Sequence, residues 1–423
     1  MKNRKRKQLK LLFFLNLIIP CILLSQNKEE FKPTFKWNVT GQIWLRYSDL
    51  NEGSLINNEP VSNFTDVSLR RLRIPMSSQV TPKIFAYAIL GGNNYNFKDK
   101  TFAIEVLDLY VEYSFAKFLE VGLGKSGWQG LNRWNIRSSK TMMGLDSPLF
   151  TLNSVEKNDD LGRLFGFWFK GQAGQFDYRL AFNRPFMVKN APNGEVNFAN
   201  NKPRIKTSTY VKYQFFEHES NKSAYQTGTY LQTKKVFNIG VGYQFQPKAM
   251  SDGDASLPET TFYDMEHWAI DSFLNLPLAN DDAITAYLGY YDYGFGENYI
   301  RNVGANNPTT GGSGTDFNGP GVAFPMIGTG TSWYMQFGYA FKQTQLINHA
   351  VVIQPNIAIQ HSDWDALNDK MTVFDFTTNF LINGSHNNKI SLGYQYRPIF
   401  DATTIGQKDY KGMAVLQYQI SFK

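Results

Sequence analysis

Long stretches of this chain alternate residue by residue between apolar and polar side chains. In "VFNIGVGYQF", Phe237, Ile239, Val241, Tyr243 and Phe245 alternate with Asn238, Gly240, Gly242 and Gln244. "LFGFWFKG", "QFDYRLAFN" and "KISLGYQYRP" repeat the pattern from Phe165, Phe176 and Ile390. Period two means a strand with one apolar and one polar face. Sixteen segments read this way: 37–47, 66–79, 83–95, 104–115, 117–126, 163–171, 175–183, 206–217, 236–247, 264–276, 282–293, 330–343, 350–362, 370–382, 388–397 and 411–422. Many exceed the roughly five or six residues common in soluble sheets. They fit the roughly 9–11 residues that a tilted strand needs to cross a bilayer. Alternation does not give its own direction, because a soluble sandwich alternates with its apolar face inward.

The connections decide between the two. Those at 127–162, 184–205, 248–263 and 294–329 are long, whereas the intervening ones at 80–82, 116, 171–174, 277–281 and 344–349 are short. Long loops at one end, tight turns at the other and an even strand count predict an all-β fold: a transmembrane antiparallel up-and-down β-barrel of about 16 strands over 27–423. One connection breaks the rule. Residues 218–235, "HESNKSAYQTGTYLQTKK", are long where a tight turn is expected, which implies either a structured turn or a miscounted hairpin.

Charge and hydropathy agree with export. Residues 1–26 hold six of the 43 basic residues and no acid, followed by "LLFFLNLIIPCILL" and Ser25. This is the layout of a cleaved signal peptide, too short to span as a helix. An uncleaved anchor and a lipid-modified Cys21 are the alternatives; Pro20 is a poor residue before a lipidated cysteine. Cys21 is the only cysteine, so the mature chain has no disulfides. What remains, 37 basic against 36 acidic residues, is nearly neutral and excludes a general nucleic-acid footprint. Aromatics make up 15% of the chain at a mean hydropathy of −0.36, a profile that suits a barrel with its membrane signal spread over alternate positions.

The segments "SLRRLRIPMSSQVTPKIFAYAILGGNNYN", "FGFWFKGQAGQFDYRLAFNRPF", "GTYLQTKKVFNIGVGYQFQPKAM" and "ITAYLGYYDYGFGENYIRNVGANN" resemble outer-membrane porins of the phosphate-selective porin O and P family, in the form found in Bacteroidetes. The likeness covers most of residues 60–420 and rests on strand patterning and arginine placement. It implies a sixteen-stranded homotrimer in the outer membrane, in contact with lipid and lipopolysaccharide, with inward-folded loops and a basic lumen. The leading reading is passive diffusion of small hydrophilic solutes, with no catalysis, cofactor or metal. The phosphate- or anion-selective channel that the family name implies is the alternative, and a structural or adhesive barrel acting through loops 184–205 and 294–329 is a third. The near-neutral charge departs from the basic-lumen expectation.

If the apolar positions face lipid, the alternate positions face the lumen. This parity assigns Arg46, Arg71, Arg73, Lys170, Arg179, Lys212, Lys342, Lys389 and Arg397 to the pore, together with Asp108, Glu112, Glu120, Asp177 and Asp375. Such a wall mixes both signs, whereas rings of one sign select ions. The connection 127–162 is basic in its first half (Arg133, Arg137, Lys140) and acidic in its second (Asp146, Glu156, Asp159, Asp160). Folded inward it narrows the barrel; packed on the rim it does not. Arg70 has lipid-facing parity and is expected at the membrane edge, snorkelling to lipid phosphates.

Catalytic readings are weak. His361, Ser362 and Asp363 are adjacent, and adjacent strand residues point to opposite faces, so they cannot form a triad. "SDGDAS" and "NDD" lack the spaced ligands of a calcium loop, and "GGSGTDFNGPG" lacks the lysine and helix of a phosphate-cradling loop.

Overall fold

A computed structural model describes residues 31–98, 100–146, 148–313 and 317–423. The signal-peptide reading and Cys21 lie outside the described residues. Sixteen strands close into one antiparallel barrel. They are β1 (Val39–Asp49), β2 (Asn63–Gln79), β3 (Ile84–Tyr95), β4 (Glu105–Ala116), β5 (Leu119–Ser126), β6 (Leu164–Ala173), β7 (Phe176–Arg184) and β8 (Lys206–Gln214). There follow β9 (Val236–Ser251), β10 (Phe262–Pro277), β11 (Ala283–Gly294), β12 (Gly330–Ala340), β13 (His349–Trp364), β14 (Met371–Ile382), β15 (Asn388–Phe400) and β16 (Gln407–Phe422). Each pairs with its sequence neighbour, and β1 closes on β16 from Val39↔Phe422 to Ser48↔Met413. A further strand, Thr34–Trp37, extends the sheet along the end of β2. Closure removes every free edge that such long strands would otherwise expose.

The direction of the alternation is now visible. In β1, Ile43, Leu45 and Tyr47 are exposed, while Gln42, Arg46 and Ser48 are buried. In β9, Val241 and Tyr243 are exposed, while Asn238 and Gln244 are buried. At these positions the strands are the reverse of a soluble sandwich: the outward side is apolar and the inward side polar, as a lipid-facing barrel requires. The predicted segments correspond to these strands one for one. Several ends were placed short, as at β2, β9 and β16, because those strands run beyond the apolar band.

The apolar core lies inside the barrel rather than between two layers. It joins Trp134 and Phe150 of connection 127–163, Phe324 and Ile327 of connection 295–329, and the wall residues Tyr287, Tyr291, Tyr334 and Met371. Lys342 is not in the lumen. β12 ends at Ala340, which leaves Lys342 exposed in the short connection 341–348.

Candidate functional site

Two segments enter the barrel from opposite ends and meet inside it. From the long-loop end, connection 127–163 descends along the wall through two short 3₁₀ turns, Trp134–Ile136 and Leu149–Thr151. Trp134 packs edge-on against Tyr287, with ring centroids 5.5 Å apart, and Phe150 against Tyr291 at 5.0 Å. From the short-turn end, the anomalous connection 215–235 folds upward. The Ser138 N–H donates to the Gln226 carbonyl at 2.7 Å, and the Gln226 N–H donates to the Ile136 carbonyl at 2.6 Å. The long segment at 218–235 is therefore a structured inward turn, and the strand count stands at sixteen.

Charged wall residues tether these segments. Glu219, in the turn-end connection, accepts from both ends of the Arg133 guanidinium at 2.7 Å, from Lys212 Nζ at 2.8 Å, from Asn238 at 2.5 Å and from the Tyr230 hydroxyl at 2.8 Å. Burial opposes the Glu219 charge, but Arg133 and Lys212 outweigh it and hold its carboxyl well below the usual carboxylate range. Lys170 donates to Glu112 at 2.7 Å and to the Asn221 carbonyl at 2.7 Å, and lies 3.3 Å from Glu120. Lys170 and Arg179 also sit over the ring of Trp128, at 4.6 and 4.3 Å. Asp177 accepts from Gln172 at 2.8 Å and lies 3.8 Å from Arg179. Arg46 grips both Asp66 oxygens at 2.8 Å and donates to the Asn306 carbonyl at 2.7 Å. Arg397 donates to the Asp49 carbonyl, and Lys389 to the Met142 carbonyl.

These inward side chains are therefore covered. Arg46, Lys170, Arg179, Lys212 and Arg397, with Asp108, Glu112 and Asp177, do not border the open space that remains. Parity gives a facing and says nothing about what is packed on top. Arg133, where the two inserted segments meet, is likewise buried, paired with Glu219, while Asp375 accepts from Gln395 and borders a separate pocket of about 50 Å³.

The open space is a cavity of about 610 Å³ along the β1–β3 wall. Its lining runs from Asn38 and Thr40 at the short-turn end to Glu156 and Val303 at the long-loop end. Arg70, Arg71 and Arg73 line it from β2; Arg137, Lys140, Lys157 and Arg163 from connection 127–163; and Arg301 from connection 295–329. Glu156 is its only carboxylate among the described lining residues. The charge of the chain is balanced, but the acids are covered and the bases are left on the cavity.

Some of those bases are neutralised. Asp146 accepts from Arg70 at 2.5 and 2.9 Å and also pairs with Arg71. Burial opposes the Asp146 charge, and Arg70 and Arg71 overcome it, keeping its carboxyl well below the usual range. Arg163 pairs with Asp108 at 2.8 Å, and the Tyr225 hydroxyl donates to the same carboxylate. Arg73, Arg137 and Arg301 differ. They donate to carbonyl, amide or hydroxyl oxygens, and among the described residues no carboxylate lies within ion-pair distance of them. Burial, with Arg71 and Arg70 nearby, pulls the Arg137 guanidinium down to about 9 despite Asp146, so it stays charged at neutral pH.

Arg70 contradicts its expected place at the lipid edge: it is buried and points inward. The cause is a β-bulge. Arg71 pairs with Gln42 and Leu69 with Ile43, so Arg70 is an extra residue that breaks the alternation. Arg163, Arg301, Lys157 and Glu219 escaped the sequence reading. The first three lie in connections, where parity has no meaning, and Glu219 lies in the segment read only as an anomaly. The bulge did leave a signal, since a charge at lipid-facing parity beside another arginine argues against unbroken alternation.

The adjacent His361, Ser362 and Asp363 point apart. His361 contacts Thr372 at 2.9 Å, Ser362 contacts Ser332 at 2.8 Å, and Asp363 pairs with Lys370 at 3.1 Å.

No family model matches the chain, and no curated protein sequence matches it. Solved structures match in shape. Pseudomonas putida OprB, in a high-pH structure, is 10% identical with a TM-score of 0.52 over 92% of this chain and 94% of that one. Salmonella typhi OmpF, in complex with daunomycin, is 10% identical with a TM-score of 0.51 over 91% of this chain and 97% of that one. The outer-membrane channel DcaP of Acinetobacter baumannii is 11% identical, with a TM-score of 0.49, over 94% of this chain and 100% of that one. At these identities the likeness is one of fold.

Proposed function

We propose that the chain is an outer-membrane channel through which small anions diffuse passively, with its long loops outside the cell and its short turns in the periplasm. The cavity lining carries the reading: among the described residues, eight Arg or Lys side chains stand against one carboxylate, and three of the arginines have no carboxylate within ion-pair distance. A run of one charge sign in a confined aqueous path selects the opposite ion. This favours an anion-preferring channel over a general diffusion pore with a mixed wall. The exposed apolar outer surface and the closed sixteen-strand fold support placement in a membrane, and a trimer is proposed from the family resemblance.

Planar-bilayer recording tests it. In a KCl gradient the reversal potential is expected on the chloride side; a potential near zero or on the potassium side refutes anion preference, and no conductance favours the structural or adhesive alternative. Arg73→Gln is expected to move the reversal potential toward zero. A unit charge roughly 5 Å from an ion in water is worth about 0.8 kcal/mol, about fourfold in partition.

The preference is also expected to depend on pH. Burial, then Asp159 and Asp160, push the Glu156 carboxyl up to about 7. Glu156 is therefore charged above that pH and neutral below it, and its protonation neutralises the one acid among the described lining residues. The chloride-to-potassium permeability ratio should rise between pH 8 and pH 6, and the rise should vanish in Glu156→Gln.

A further inference from the structure

The same cavity has a second character that inorganic ions do not use. In connection 127–163 the Leu152 N–H donates to the Leu149 carbonyl and the Val155 N–H to the Leu152 carbonyl, both at 2.9 Å. Leu149, Leu152 and Val155 follow one another through these two turns, and all three border the cavity as an apolar row, Leu149 and Leu152 half-buried and Val155 set deeper in the core cluster. Leu161 and Val303 also border it, half-buried and anchored at the back on the core cluster. Apolar side chains left facing water inside a confined channel gain by contact with an apolar solute. The volume lies within the roughly 300–1,000 Å³ of small-molecule sites lined by apolar groups with a few placed charges.

Resting on the anion-channel reading above, we infer that the preferred solute is an organic anion with an apolar body, such as an aromatic or short-chain carboxylate. Its charge is held among Arg73, Arg137 and Arg301 while its body slides along the Leu149–Leu152–Val155 row. An inorganic anion satisfies the arginines and leaves the row wet.

Benzoate and acetate share a carboxylate and differ in the apolar body, so they isolate the effect. Each is added to the purified full-length channel conducting chloride, and the concentration that halves the current is measured. Benzoate should act at a concentration at least tenfold below acetate, and in Leu152→Asn the ratio should fall toward one. If wild-type benzoate and acetate act at the same concentration while chloride preference is present, the organic-anion inference is overturned and the anion channel stands. If the ratio persists in both Leu152→Asn and Val303→Asn, the assignment to this apolar lining is overturned. If chloride preference itself is absent, the functional reading fails and takes the inference with it.

Discussion

Glu219→Ala is expected to raise the single-channel conductance several-fold and to make the current noisy. Glu219 is the anion on which both inserted segments converge, binding Arg133 of one and Lys212 of the wall beneath the other. Removing one member of a buried charge cluster leaves the rest uncompensated, at a cost of about 3–5 kcal/mol. Here two cations would be left facing each other in a dry site. The barrel cannot relieve this, since its strands are held by ladder bonds on both sides. The inserted segments can, by retreating toward water. The plug should therefore loosen before the barrel melts. Two measurements separate the outcomes: conductance in bilayers, and limited proteolysis at residues 215–235. Increased conductance with unchanged heat-modifiable migration of the barrel marks selective unplugging. Unchanged conductance and unchanged cleavage would show that Glu219 does not hold the plug. Glu219→Gln removes the charge and keeps only one of the two acceptor oxygens that Arg133, Lys212, Asn238 and Tyr230 share, and should give an intermediate current.

What was legible in the sequence follows from the solvent on each side of the wall. All sixteen strands were found because lipid outside and polar matter inside impose period two on every crossing. The same period points Arg46, Lys170, Arg179 and Lys212 inward, where the structure buries them. Their burial was not legible. A segment that fills a polar lumen must itself be polar, so "HESNKSAYQTGTYLQTKK" reads as a surface turn although Ala224, Gln226 and Thr229 are buried. Composition cannot separate a loop in water from a loop whose partners are Lys212, Asn275 and Thr285. The same blindness hid the basic cavity. Charge counted over the chain is nearly neutral, while the structure keeps Asp66, Asp108, Glu112 and Glu219 off the cavity and lines it with arginines.

One trace of the plug was in the sequence all along. In a barrel with an empty lumen, inward positions tolerate any polar residue, yet several here are glycine. A Cβ built at Gly242 would overlap the Leu131 carbonyl, one at Gly338 would crowd the sulfur of Met143 at 2.6 Å, and one at Gly393 would overlap the end of Leu145. Leu131, Met143 and Leu145 all belong to connection 127–163, so the wall glycines are the groove in which that connection lies. Gly242→Val should then expel it. The obstacle is a backbone atom, so no side-chain rotation relieves the overlap, and overpacking of this kind costs about 1–3 kcal/mol when the neighbours can move. The wall at Gly242 is paired on both sides, to Tyr210 and to Ala269, and the connection is the part free to shift. The expected result is a wider channel with weaker anion preference, because Arg137 and Lys140 leave with the loop while Arg70, Arg71 and Arg73 stay on β2. Gly41→Ala, where a Cβ meets nothing within 4 Å, serves as the matched control and should leave both quantities unchanged. Bilayer conductance together with reversal potential reads both arms. A wider channel with undiminished anion preference would place the selecting charges outside connection 127–163, whereas no change in either would mean that connection 127–163 does not narrow the barrel.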